Sequence, residues 1–136
     1  AALAQAQDGM LLIGRRDVRS GNSWMQNLPI LAKGPERCTL LMHPQDGARL
    51  GLVDGAMARL KASGAELLAP VHLSADLMPG VVSLPHGWGH ALPGARLNLA
   101  AARPGVNMNE LLDDRLRDPL SGNAVLSGVA VEVEAA

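Results

Sequence analysis

The chain contains no phenylalanine and no tyrosine, and its 136 residues include one cysteine and two tryptophans. A core must therefore be built from Leu, Val, Ala, Met and Ile. Trp24 and Trp88 lie in loops rich in Gly, Asn and His rather than in apolar runs, which marks those loops as candidates for a site. The single Cys38, beside Thr39 and Leu40, excludes a disulfide framework and is expected to be a buried, inert thiol. That cysteine usage points to a reducing, cytoplasmic setting, with a periplasmic one left open because any signal would lie outside this stretch. No apolar run is long enough to cross a bilayer and no basic-flanked signal peptide is visible, so no membrane contact is expected. A net charge of −1 argues against nucleic-acid or membrane-surface binding driven by bulk charge.

Signatures of self-contained catalysis are missing as well. There is no Walker motif, no GxGxxG, and no local Ser/His/Asp arrangement. His86 and His90 are four apart, but Gly87 and Gly89 between them disfavour a helix, and no Cys, Asp or Glu accompanies them at ligand spacing. A metal site is not expected. Asp46 and Asp54 are explained by a helix start and an Asp-Gly turn.

What is present is concentrated in Leu11 to Asn27. Leu11-Leu12-Ile13 forms a short apolar run, consistent with a buried strand, and Gly14 then breaks it. Arg15, Arg16 and Arg19 follow, in a loop that continues through Ser20, Gly21, Asn22 and Ser23 to Trp24, Gln26 and Asn27. Guanidinium forks hold phosphate oxygens in pairs, and small hydroxyl and amide residues let backbone N–H groups come close. Convergent polar groups beside an aromatic suit a ligand-site lining, although solvated arginines alone would also explain the loop. A second glycine-rich loop, Pro85 to His90, is suited to laying His86 and Trp88 against a flat heteroaromatic ligand, with Gly87 and Gly89 permitting close backbone approach.

Along the chain, residues 1–9 are expected to be a frayed lead-in or linker and residues 10–136 one domain. Strands are expected at Met10–Ile13, Cys38–Met42, Ala56–Ala62, Ala65–Leu73, Val81–Leu84 and Val129–Val133, with Ser63-Gly64 as a hairpin turn. His43–Gly51 carries helix signals: Pro44 in the first turn, Asp46 at the positive end of the dipole, and Gly51 at the left-handed end. Leu97–Ala101 is expected to be extended and Asn109–Asp114 helical. Short strands, one or two short helices and frequent glycine turns predict a mainly-β, closed or nearly closed barrel.

Three ordered stretches carry a family resemblance. They are Leu12–Arg16 with Arg19–Asn27; Met42–Gly55; and Pro79–His90 leading to Asn109–Asp113 and Leu120-Ser121-Gly122. Together they resemble the C-terminal, dinucleotide-binding domain of the molybdopterin oxidoreductases, the dimethyl sulfoxide reductase and formate dehydrogenase superfamily. The resemblance implies a double-psi β-barrel and a molybdopterin guanine dinucleotide cofactor, usually two copies around one molybdenum. It implies that the loop Arg15–Asn27 approaches the pterin and phosphates, and that His86, Gly87 and Trp88 and the amide of Asn109, with Asp113 near it, also face the cofactor. Gln26 stands where the family commonly has His, and Leu112 where it has Thr; Gln26 keeps its hydrogen-bonding capacity and Leu112 loses a hydroxyl. The metal ligand, and any iron–sulfur cluster, would lie in other domains of a larger oxidoreductase, so this domain alone is not expected to be active. The same barrel also serves as a protein-interaction adaptor, which is the alternative expectation.

Overall fold

The computed structural model describes residues 9–136, so the expected lead-in, residue 9 apart, lies outside the described residues. Six strands close into a barrel in the order β1-β5-β2-β4-β3-β6: β1 Met10–Arg15, β2 Leu40–Met42, β3 Met57–Ala62, β4 Ala65–Leu73, β5 Val81–Pro85 and β6 Val129–Ala135. The β1–β5 and β2–β4 pairs are parallel and the other ladders antiparallel. The fold is a double-psi β-barrel, as the resemblance implies.

Alternation along most strands builds the core, while β5 is buried throughout from Val82 to Pro85. Leu12, Leu40, Met42, Leu60, Val82 and Leu84 are fully buried and pack with Ala58, Ala69, Val71 and Val131 in one cluster. Each buried Leu or Val contributes about 1.5–3 kcal/mol of transfer free energy, so the barrel needs no aromatic residue to hold together. On β3, Arg59 and Lys61 take the outer face, where Arg59 meets Glu66 at 2.8 Å and Lys61 meets Glu134 at 2.7 Å.

The hairpin forms where Ser63-Gly64 predicts it. Ser63 (φ 52°) and Gly64 (φ 77°) are both left-handed, the twist a two-residue turn requires, and Ala62 faces Ala65 across it. Helix α1 spans Pro44–Leu50. His43 Nδ1 accepts the Gln45 N–H at 3.1 Å as its cap, and Gly51 (φ 68°) ends it. Asp46 does more than face a dipole: it is buried, and its Oδ2 accepts the Gly80 N–H at 2.7 Å, tying α1 to the turn before β5.

Three expectations change. Leu97–Ala101 is not extended; Asn98–Ala102 forms helix α2. Its Leu and Ala residues are strong helix formers, and Asn27 Oδ1 accepts the N–H groups of Leu99 (3.0 Å) and Ala100 (3.2 Å), a cap supplied by a distant loop. The second strand is shorter than Cys38–Met42. The Cys38 N–H donates to Glu36 Oε1 at 2.9 Å, and the Thr39 carbonyl accepts from Arg15 at 2.7 Å, so these residues make other bonds in place of a ladder. The Asn109–Asp114 helix is a single 3-10 turn at Met108–Leu111, started by the Asn107 side chain.

Candidate functional site

Parallel pairing of β1 with β5 decides where the site lies. Arg15 stands opposite Pro85, so the two loops that follow, starting at Arg16 and His86, leave the barrel side by side. The His86 N–H donates to the Arg15 carbonyl at 3.0 Å and extends the contact one residue further. Between these loops and the 3-10 turn lies a cleft of about 420 Å³. Arg16, Asn22 and Ser23 line one side, His86 to His90 the second, and Asn107, Asn109 and Leu126 the rest.

Glycine makes the closure possible. At Gly87 (φ 86°) a Cβ would fall 1.2 Å from the Asn22 carbonyl oxygen, so the two loops touch backbone to backbone. At Gly89 (φ 105°) a Cβ would lie 2.6 Å from the Asn107 Cβ. Gly14 leaves room for the His86 ring, whose Nε2 would sit 2.1 Å from a Cβ there. Hydrogen bonds then fix the second loop: the Gly87 carbonyl accepts Gln26 Nε2 at 2.9 Å and lies 3.1 Å from His90 Nε2, and the Pro104 carbonyl accepts the N–H groups of Gly89 (2.7 Å) and His90 (3.0 Å).

The cleft has no carboxylate in its lining. It offers a guanidinium (Arg16), a hydroxyl (Ser23), the amides of Asn22, Asn107 and Asn109, and two imidazoles. Arg16 donates to Asn22 Oδ1, which aims both groups from the same wall. Burial, and then the Arg16 charge, push the His86 pKa down, so its imidazole is neutral at neutral pH and can both donate and accept. Trp88 is buried at the back of the loop, and its Nε1–H, closed off from the surface, has no protein acceptor. Among the described residues no group of three or more His, Cys, Asp or Glu is placed to hold a metal ion.

Of the residues singled out from sequence, the structure brings Arg16, Asn22, Ser23, His86, Gly87, Trp88 and Asn109 together around this cleft. It places six elsewhere. Arg15 turns inward, where Nη1 donates to the Ser83 carbonyl (2.5 Å) and Nη2 to the carbonyl (2.7 Å) and Oγ1 (3.1 Å) of Thr39 and the Arg37 carbonyl (3.2 Å). Arg19 donates to the Lys33 carbonyl at 3.3 Å. Gln26 is buried against Gly87 and Asn27 caps α2, so both position the loops rather than line the cleft. Trp24 stands 86% exposed. Asp113 lies in a separate cavity beside β6 and pairs with Arg115 at 2.8 Å, which holds its pKa at about 2.

Sequence reasoning missed Asn107, Gly14 and Leu126 as parts of the site. Asn107 carried a usable signal, since an Asn two residues before Asn109 is a natural cap, and its Oδ1 accepts the Asn109 N–H at 3.1 Å. Cys38 is buried as expected, and burial pushes its thiol pKa up.

The donor set fits a ligand that joins phosphates to a hydrogen-bonding heterocycle. The family described as Molydopterin dinucleotide binding domain matches residues 10–130. The chain belongs to this family of molybdopterin dinucleotide-binding domains. It is 31% identical to a tetrathionate reductase subunit of Salmonella typhimurium (strain LT2), in a match covering 68% of this chain and 11% of that protein. Its fold resembles part of acetylene hydratase from Pelobacter acetylenicus, with a TM-score of 0.78 at 20% identity, over 94% of this chain and 18% of that one. The domain thus spans a small part of the length of each.

Proposed function

We propose that the cleft binds the molybdopterin guanine dinucleotide cofactor, and that the chain is the C-terminal, cofactor-holding domain of a molybdenum-dependent oxidoreductase. The observation that carries this reading is the acid-free lining of Arg16, Ser23, three Asn amides and two imidazoles, in a chain of this family. Arg16 and Ser23 suit phosphate oxygens, which take charge-assisted bonds from guanidinium and weaker ones from hydroxyl. Asn107, Asn109 and neutral His86 suit the donor and acceptor edges of pterin or guanine. Gly87 and Gly89 let a flat ring approach the backbone.

When bound, the cofactor supplies the redox chemistry of its metal. The chain's own residues orient the ligand, exclude water from one side of it and set its hydrogen bonding, which tunes such groups from outside the metal. The metal ligand, any iron–sulfur cluster and the substrate pocket belong to the remaining domains. The exposed apolar side chains of Val18 (92%), Trp24 (86%) and Ile30 (72%) on and after the first loop suit packing by those domains.

The test uses the full-length protein, assayed for molybdenum and for pterin and guanine nucleotide released on denaturation. Stoichiometric cofactor is expected in the wild type, with retention lower by about tenfold in Arg16→Ala and Asn109→Ala, as the loss of one or two polar contacts predicts. A well-folded parent holding neither metal nor pterin would overturn the proposal and put the adaptor role first.

A further inference from the structure

A second cavity, of about 670 Å³, lies on the flank of the barrel, where β3 and β6 part. Their ladder runs from Ala58–Ala135 to Lys61–Glu132 and stops there, because the chain turns away at Ser63. Strand β6 continues to Val129, paired on its other edge with β1 through Met10–Val131 and Leu12–Val129. Along an antiparallel strand, N–H and C=O groups of successive residues point to alternate edges. Leu11, opposite Ala130, gives its N–H to the Gly80 carbonyl at 2.9 Å on the β5 side. Leu11 and Ala130 are therefore a non-hydrogen-bonded pair, and the N–H and C=O of Ala130 face the open seam. The bond from the Ala136 N–H to the Met57 carbonyl confirms that phase, since even-numbered residues of β6 point towards β3.

The seam is walled by the excursion between the 3-10 turn and β6. Leu116, Pro119, Val125 and Val129 supply apolar surface, and Arg117 supplies a cation. Among the described residues the Arg117 side chain has no ion pair and no hydrogen bond. The nearby acids are engaged: Asp113 accepts two bonds from the Arg115 guanidinium (2.9 and 2.8 Å), and Asp118 accepts the N–H groups of Leu120 and Ser121. One unpaired backbone position at Ala130, an apolar wall and a cation without an ion pair thus meet in one groove, with the Asp118 carboxylate on the same wall.

We infer that this seam takes an added extended segment of polypeptide, hydrogen-bonded to Ala130, with an apolar side chain against Leu116 and Val125 and a carboxylate at Arg117. The segment comes from the remaining domains of the larger oxidoreductase, and in this the inference rests on the function proposed above. The backbone edge favours polypeptide over a small anion, which would satisfy Arg117 and leave Ala130 unpaired.

Hydrogen exchange followed by mass spectrometry on the full-length protein tests it, comparing wild type with Arg117→Glu and Ala130→Pro. Proline deletes the Ala130 N–H yet is tolerated on a strand edge, so the β1 ladder is kept. Both variants are expected to speed exchange roughly fivefold in the same peptide outside residues 1–136, with cofactor content unchanged. Acceleration confined to residues 113–130, or none, overturns the inference. Should Ala130→Pro fail to fold, Arg117→Glu alone decides. Responding outside peptides in a parent devoid of pterin would sustain the seam and sink the cofactor reading; the converse result would separate the two the other way.

Discussion

The β3–β4 hairpin and the paired loops at the cleft both carry the chain across an end of the barrel, and they are held by different means. The hairpin is fixed by neighbours in sequence. Ladder bonds run from Met57–Pro70 to Ala62–Ala65, and two left-handed residues close it. The cleft loops are fixed by partners 60 or more residues apart in sequence: Gln26 on the Gly87 carbonyl, and the Gly87 backbone against that of Asn22. A hairpin of this kind tolerates change at its tip, since a Cβ at Gly64 meets nothing within 4 Å. The cleft has no such slack, and substitutions there measure the difference.

The largest effect is expected at Gly87. Alanine there places a Cβ 1.2 Å from the Asn22 oxygen at φ 86°, and backbone cannot step aside as a flexible side chain can. Gly87→Ala should cost more than about 3 kcal/mol in urea unfolding, the range where steric overlap and left-handed strain combine. The control, Gly64→Ala, carries only the strain of φ 77° and should cost about 1 kcal/mol. Equal costs at the two glycines would abolish the distinction between the loops.

Arg15 comes next. It leaves β1 beside Arg16, and the two guanidinium groups are used in opposite ways. Burial pushes the Arg15 pKa down, and four acceptors on Ser83, Arg37 and Thr39 offset the cost of desolvating the charge. Arg15→Met strands those carbonyls and should destabilise the fold by about 2–4 kcal/mol, whereas Arg16→Ala, at an exposed position, should change unfolding by no more than about 0.5 kcal/mol. Swapped values for the two arginines would return Arg15 to the ligand-facing role that the sequence suggests.

That pair shows how far the sequence could be read. Local rules were sufficient for the strands other than the start of β2, for the Ser63-Gly64 turn and for α1, because alternation, turn residues and caps act over a few positions. The parallel β1–β5 pairing also carried the residues after each strand into one place, so the two candidate loops did meet. What local rules cannot supply is the direction of a side chain in an irregular loop. Arg15, Gln26 and Asn27 are as polar as Arg16 and Asn22, yet their partners are carbonyls and amides 22 to 73 residues away. The same holds for α2, whose cap is Asn27 and not a residue of its own segment.

A smaller effect belongs to His86. Its folded pKa is lowered, first by burial and then by Arg16, so the unfolded state binds the proton more readily. The sign follows from linkage: His86 contributes stability above its unfolded value of about 6.5, and that contribution is lost as the pH falls from there through the lower folded value. NMR titration should give a midpoint below the ordinary histidine value, and Arg16→Ala should raise it part of the way back. An unchanged midpoint in the variant would mean that the two side chains do not face each other across the cleft wall.

The smallest effect is expected at Trp24, and the two tryptophans make it measurable. Trp24 is 86% exposed, whereas Trp88 is 8% exposed with its ring against Gly105. Trp24→Ala removes little buried surface and should leave unfolding within about 0.5 kcal/mol of wild type. The emission that remains should be blue-shifted, since it comes from the buried indole alone. Trp88→Ala should do the reverse, leaving a red-shifted emission and costing about 3–5 kcal/mol, as truncation of a buried aromatic does. A destabilised Trp24→Ala would show that this side chain packs on the domain itself. The absence of that cost, with loss of cofactor from the full-length protein, would assign Trp24 to the ligand or to the domains that cover it.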